Sequence, residues 1–209
     1  FFCSILIAVF TIFFVFPNSY LINSLAKSKD ISYGYSEGTL YKGSFYDFRF
    51  KNIMFDRVEY KNIIYFNSLS SVISTFGSHE TTIKLNHILK TNFLNININS
   101  LSSKIKLNEL LDLVSLKIEN SSILYDFNAS RCESANGNGY LSNDLLGRIT
   151  LTIDCRSGRL IAILKKNRVT VGQVRFNNNY METEISKSVL PSRIRNLIKD
   201  EFLYIKSNY

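Results

Sequence analysis

The stretch Leu94-Asn95-Ile96-Asn97-Ile98-Asn99 alternates aliphatic and amide side chains without a break. Successive side chains of an extended chain point to opposite faces, so a period of two puts Leu94, Ile96 and Ile98 on one side of a half-buried strand. The pattern recurs on both sides of this stretch. Ile83, Leu85 and His87 alternate with Thr82, Lys84 and Asn86, and Ile149, Leu151 and Ile153 alternate with Arg148, Thr150 and Thr152. Val169, Val171 and Val174 mark another strand, with a bulge expected near Gly172. Residues 41–50, 53–60, 115–118, 123–127, 160–164 and 180–185 complete the set. Turn signals fall between them at Gly34, Gly77-Ser78, Gly137-Asn138-Gly139, Ser157-Gly158 and Asn177-Asn178-Asn179. The reading is mainly β: an antiparallel sheet, a sandwich or an open trough.

Two segments predict helix. Residues 107–114 form a short Leu-rich one. Near the C-terminus Leu190, Ile194, Leu197, Ile198 and Phe202 recur at helical spacing behind Pro191, which a first helical turn tolerates. That amphipathic helix is expected to lie as a lid on the sheet.

The chain opens on an uncharged run, from Phe1 to Phe16, and its first charge is Lys27. A bilayer core is about 30 Å thick and a helix rises about 1.5 Å per residue, so the run alone spans roughly 24 Å. Counted through Ile22 it spans roughly 33 Å, enough for one crossing, with Tyr20 as an interfacial aromatic. Residues 1–22 therefore read as a single transmembrane anchor, 23–36 as a juxtamembrane connector and 37–209 as one β-rich domain. Because the chain begins at Phe1 rather than Met, a short upstream flank is expected. A cleaved signal peptide is the alternative, with Ser24-Leu25-Ala26 as its cleavage site. Ala26, however, lies far from the apolar segment. A buried core helix is the third reading.

No charge precedes Lys27, so the whole net charge of +8 belongs to the remainder of the chain. Its basic residues are thinly spread, with clusters only at Lys165-Lys166 with Arg168 and at Arg193 with Arg195. They read as solvated strand faces with a weak pull toward an anionic membrane surface, and no nucleic-acid site is expected. Of the three cysteines, Cys3 lies in the apolar run. If the domain is outside the cytoplasm, Cys132 and Cys155 are expected to form a disulfide; two separate buried thiols are the alternative. Two cysteines without a nearby His cannot supply a four-ligand zinc site.

Catalytic constellations are sparse. His79 and His87 are the only histidines, and their spacing of eight does not make a helical metal pair. No nucleophile elbow, zinc-protease motif or phosphate-cradling loop occurs. Asn120-Ser121-Ser122 and Asn128-Ala129-Ser130 match the glycosylation pattern, which an Asn- and Ser-rich chain generates by chance. No enzyme activity, catalytic residue, cofactor or metal is expected.

Glu37-Gly38-Thr39-Leu40-Tyr41-Lys42-Gly43, directly after the apolar run, resembles the opening of the type II secretion system protein N family. Val58-Glu59-Tyr60, the Leu-rich segment 107–113, the block from Cys132 through Gly137, Gly139, Gly147, Cys155 and Gly158, and Tyr180 with Leu190-Pro191 follow in the family's order. The resemblance implies a bitopic component of the bacterial inner membrane with its bulk in the periplasm. Such a protein acts without catalysis, in scaffold assembly or in contact with other inner-membrane secretion subunits. Gly38 and Gly43 are then expected to permit a turn and a close strand crossing, and Gly158 a turn. A more distant resemblance is to AsmA-like β-rich periplasmic proteins. There an anchored trough holds or transfers lipid against an aliphatic strand face.

Overall fold

The computed structural model describes residues 11–15, 17–19, 31–50, 53–89, 91–105, 114–144, 146–176 and 180–208. The chain is mainly β, and every strand pair described below is antiparallel. It divides into two compact units, Phe1–Lys90 and Thr91–Tyr209.

In the first unit, β1 (Ile31–Ser32) and β2 (Tyr35–Gly38) both pair with β3 (Lys42–Phe50). A meander continues through β4 (Ile53–Ile64), β5 (Ser68–Phe76) and β6 (His79–Ile88). Register puts Val58, Tyr60, Asn62 and Ile64 of β4 beside Thr75, Ile73, Ser71 and Leu69 of β5, and these beside Thr81, Ile83, Leu85 and His87 of β6. The opposite face carries Arg57, Glu59 and Lys61 of β4 and Lys84 of β6, with Arg57 and Glu59 ion-paired at 3.2 Å.

The second unit pairs consecutive strands from β7 (Phe93–Ile105) and β8 (Val114–Asp126) through β9 (Arg131–Asn143), β10 (Gly147–Arg156), β11 (Arg159–Lys166), β12 (Val169–Phe176) and β13 (Tyr180–Ser186) to β14 (Phe202–Asn208). One face is a closed core. Ile149, Leu164, Ile185, Leu190 and Val114 are fully buried, with Leu151, Ile153, Ala162, Val174 and Ile194 packed among them. Leu190 and Ile194 come from the link between β13 and β14, a 3-10 turn (Lys187–Val189) followed by a short helix (Ser192–Arg195). The Arg195 guanidinium donates to the carbonyls of Ser188 at 3.1 Å and Leu190 at 3.0 Å and ties the link down. The C-terminal apolar stripe therefore does lie on the sheet through Leu190, Ile194 and Ile198, while Leu197 is exposed.

Several expectations are corrected. The C-terminal helix stops at Arg195, and Phe202 opens a strand. Leu203 and Ile205 alternate with Phe202, Tyr204 and Lys206, and pairing with β13 satisfies main-chain groups that an isolated helix end would leave to water. Gly137-Asn138-Gly139 is not a turn but the middle of β9. A Cβ on Gly137 would collide with Ser121 Oγ, and one on Gly139 with the Lys117 carbonyl, so these glycines admit β8 at close range. Segments 115–118 and 123–126 belong to one strand, β8, which ends before Phe127, with a register shift between Glu119 and Ser122 and a positive φ of 48° at Asn120. The bulge beside Gly172 is present, between Leu164 and Lys165 of β11 and the facing residues of β12.

Residues 107–113 of the expected internal helix lie outside the described residues, and Val114 begins β8. The turn at residues 177–179 also lies outside them. Of the expected anchor, residues 1–10, 16 and 20–22 lie outside; 11–15 and 18–19 are helical. Pro17 forms a bridge to Thr39, so the apolar run is not one continuous helix through Ile22. Among the described residues no helix is long and apolar enough to cross a membrane. Residues 23–30 of the expected connector lie outside the described residues, while 31–36 contribute to β1 and β2.

Candidate functional site

The glycines of Gly38-Thr39-Leu40-Tyr41-Lys42-Gly43 face each other across the β2–β3 hairpin. Thr39 N–H donates to the Lys42 carbonyl at 2.8 Å, which leaves Leu40 and Tyr41 as the tip. Gly38 has φ of 101°, a left-handed conformation open to glycine, and a Cβ there would collide with the Lys42 carbonyl. A Cβ on Gly43 would meet the Glu37 carbonyl at 2.5 Å and Asn18 Nδ2 at 2.6 Å.

Three polar side chains use that closeness. Asn18, buried at 3% exposure, donates to the Glu37 carbonyl at 2.7 Å. Asn62 donates to the Leu40 carbonyl at 2.7 Å, and the Tyr60 hydroxyl donates to the Thr39 carbonyl. Partial burial raises the Tyr60 pKa above its usual 10.0, with the Asn18 hydrogen bond opposing the shift. The tip is thereby pinned to β4.

Beneath the tip the apolar face of the sheet forms a groove of about 470 Å³, within the roughly 300–1,000 Å³ range of small-ligand sites. Phe13, Leu40, Phe45, Phe48, Val58, Ile64, Leu69, Ile73 and Leu85 line it, with Asn18, Tyr60, Asn62 and Ser71 as its few polar groups. Within this unit Phe45 and Val58 are the buried apolar side chains among the described residues, while Leu69, Ile73, Ile83 and Leu85 are only half-buried. In the second unit the corresponding apolar face carries Leu190 and Ile194 as cover. The aliphatic stripe of Ile149, Leu151 and Ile153 therefore belongs to an ordinary closed core.

The structure places Cys132 on β9 and Cys155 on β10 with Cα atoms 5.8 Å apart, at disulfide distance. Cys132 N–H donates to the Gly158 carbonyl at 2.9 Å. Gly158, with φ of 75°, forms the two-residue β10–β11 turn with Ser157. This cluster belongs to the second unit.

His79 and His87 sit near the two ends of β6, His79 with its ring 5.9 Å from that of Phe55. No three His, Cys, Asp or Glu side chains gather as a metal site among the described residues. Four of the five described ion pairs, Lys117–Glu119 and Arg156–Asp154 among them, join residues two apart on one strand, and the fifth, Arg175–Glu184, joins β12 to β13. They are the solvated strand faces expected from the scattered charge. Sequence reading singled out Gly38, Gly43 and Tyr60 but missed Asn18, Asn62, Leu69 and Ile73. The overlooked signal was Asn62-Ile63-Ile64-Tyr65-Phe66-Asn67, an apolar tetrad between two asparagines. No protein-family model matches this chain, and no curated protein or solved structure matches it.

Proposed function

We propose that the chain is a non-catalytic, membrane-tethered β-protein of the bacterial periplasm that holds a lipid acyl chain in the groove of its first unit. The observation that carries this reading is the contrast between the two apolar faces. One is sealed by Leu190 and Ile194; the other leaves an apolar groove of about 470 Å³ with half-exposed aliphatic walls. Burying a methylene is worth about 0.8 kcal/mol, so several methylenes along this wall supply useful affinity without any charged contact. The Cys132–Cys155 pair suits an oxidising compartment, and the uncharged N-terminal run suits a tether beside a lipid source.

Native mass spectrometry of the full chain, purified in mild detergent, tests the reading. Co-purified phospholipid is expected, and Ile73→Lys should release it while the circular-dichroism spectrum is retained. A lipid-free wild type, or a variant that keeps its lipid, sinks the proposal.

A second reading, an inner-membrane component of a type II secretion machine, draws on one observation. The Gly38–Gly43 hairpin needs glycine at both of its ends, as the resemblance implies. Affinity capture of the full chain from membranes should then retrieve inner-membrane secretion subunits, and retrieval of none of them rules against it.

A further inference from the structure

The first unit carries apolar side chains where a soluble sheet ordinarily places polar ones. Phe66 is 105% exposed in the β4–β5 turn, flanked by Tyr65 at 53% and Ile64 at 53%; Leu89, just past β6, is 54% exposed. The two sites adjoin, because Leu89 N–H donates to the Asn67 carbonyl at 3.0 Å. No charged residue occurs from Asn62 through Ser78, and the nearest charge before this stretch is basic, Lys61.

The hairpin tip lies at this same end of the sheet. Asn62 N–H donates to the Tyr41 carbonyl at 2.7 Å, two residues before Ile64. The Phe14 ring packs on Tyr41 at 4.8 Å between centroids, so the uncharged N-terminal run reaches the sheet here. Within the helical residues 11–15, Ile12 at 54% and Val15 at 67% are exposed. At the opposite end the β5–β6 turn is Gly77-Ser78 and offers no apolar side chain, while Phe50, Ile53 and Met54 beside the β3–β4 turn are 42%, 37% and 48% exposed.

We propose that the Tyr65-Phe66 and Leu89 tips seat in the interfacial layer of a lipid bilayer, beside the N-terminal run, as a second and peripheral membrane contact. A bilayer suits this edge better than a protein partner for three reasons. The edge is continuous with the uncharged N-terminal run, whose Phe14 packs on Tyr41. It combines Phe and Tyr, which favour the interface, with aliphatic neighbours. Its adjoining charge is a lysine, whose stem reaches toward anionic headgroups. Ile64 belongs both to this edge and to the groove lining, so the groove mouth then opens toward the membrane. That last consequence rests on the lipid-holding reading above; the contact itself does not.

The chain contains no Trp, so a single introduced indole reports alone. Full-length Phe66→Trp and Ser78→Trp are reconstituted into phosphatidylcholine–phosphatidylglycerol vesicles with brominated acyl chains. Emission from the Phe66→Trp variant is expected to shift to the blue and to be quenched several-fold more strongly than that of the Ser78→Trp variant. Equal quenching in both variants, or none in Phe66→Trp, overturns the proposal. So does a blue shift in Phe66→Trp that depends on protein concentration and ignores bromination, since the edge would then meet a second copy. Lipid retention without quenching in Phe66→Trp defeats the seat alone, and quenching without retained lipid defeats the groove reading alone.

Discussion

The Tyr60 hydroxyl, on β4, hydrogen-bonds the main-chain carbonyl of Thr39 at the β2–β3 hairpin. This bond, with that of Asn62 to Leu40, fixes the hairpin tip over one end of the apolar groove. Tyr60→Phe keeps the ring stacked on Phe45, whose centroid lies 5.6 Å away, and removes the hydroxyl alone. The expected loss is about 1 kcal/mol, read from urea unfolding.

The same residue gives a pH dependence. Its pKa in the fold is raised above 10.0, so the neutral hydroxyl is the form the fold favours. The associated stability is present below the unfolded pKa and fades as pH rises through the folded value. Thermal melting should therefore show a steeper wild-type loss on the alkaline side of about pH 10 than Tyr60→Phe shows, since Tyr46, whose pKa Glu37 also raises, is present in both proteins. Parallel alkaline melting curves for the two proteins would count against it.

Gly43→Ala forces a methyl group within 2.5 Å of the Glu37 carbonyl and 2.6 Å of Asn18 Nδ2. Overpacking of this kind costs roughly 1–3 kcal/mol. Amide hydrogen exchange should accelerate in β2 and at Asn62, whose N–H is bonded to the hairpin tip. Unchanged exchange there would mean the hairpin shifts at no cost.

Cys132→Ser, compared with wild type under oxidising conditions, is expected to destabilise the second unit by roughly 3 kcal/mol through the lost loop constraint. The two cysteines are separated by 23 positions, and their Cα spacing of 5.8 Å falls within the usual disulfide range. Intact mass under non-reducing alkylation decides the matter; two alkylated thiols in the native protein refute the bond.

Thr183 and Leu190 predict opposite signs inside one core. Thr183 is 2% exposed, and its hydroxyl has no hydrogen-bond partner among the described residues. Thr183→Val keeps the shape and removes the unsatisfied group, so a gain of about 1 kcal/mol is expected. Leu190→Ala truncates a covering side chain that is itself 1% exposed, and a loss of about 2–5 kcal/mol follows. Equilibrium unfolding of both variants checks the pair, and a destabilised Thr183→Val would show that the hydroxyl is satisfied in solution.

Strand content was legible wherever one face is apolar and the other polar. Residues 148–153 and 82–87 alternate cleanly, and both fall inside strands. β5 was not legible, because Ser68-Leu69-Ser70-Ser71-Val72-Ile73-Ser74 mixes serine and aliphatic residues on both of its faces. β9 was hidden for a related reason. Its glycines read locally as a turn, although they answer the backbone of β8, a neighbour that local sequence does not name.

What the sequence by itself determined is local. Two-residue periodicity specifies a mainly β chain, glycine at 38, 43 and 158 accepts backbone geometry or closeness that other residues resist, and the uncharged N-terminal run stands apart from all that follows. Only the tertiary structure decided which apolar faces are closed. Ile149, Leu151 and Ile153 and the face bearing Ile73 and Leu85 carry similar side chains, yet Leu190 and Ile194 cover the first, while the second is left as a groove. Whether an apolar face becomes a core or a groove depends on what packs against it, and those contacts come from residues distant in the chain. The same holds for Phe66: its ring is an ordinary strand-type side chain in the sequence, and only the placement of the β4–β5 turn leaves it fully in solvent.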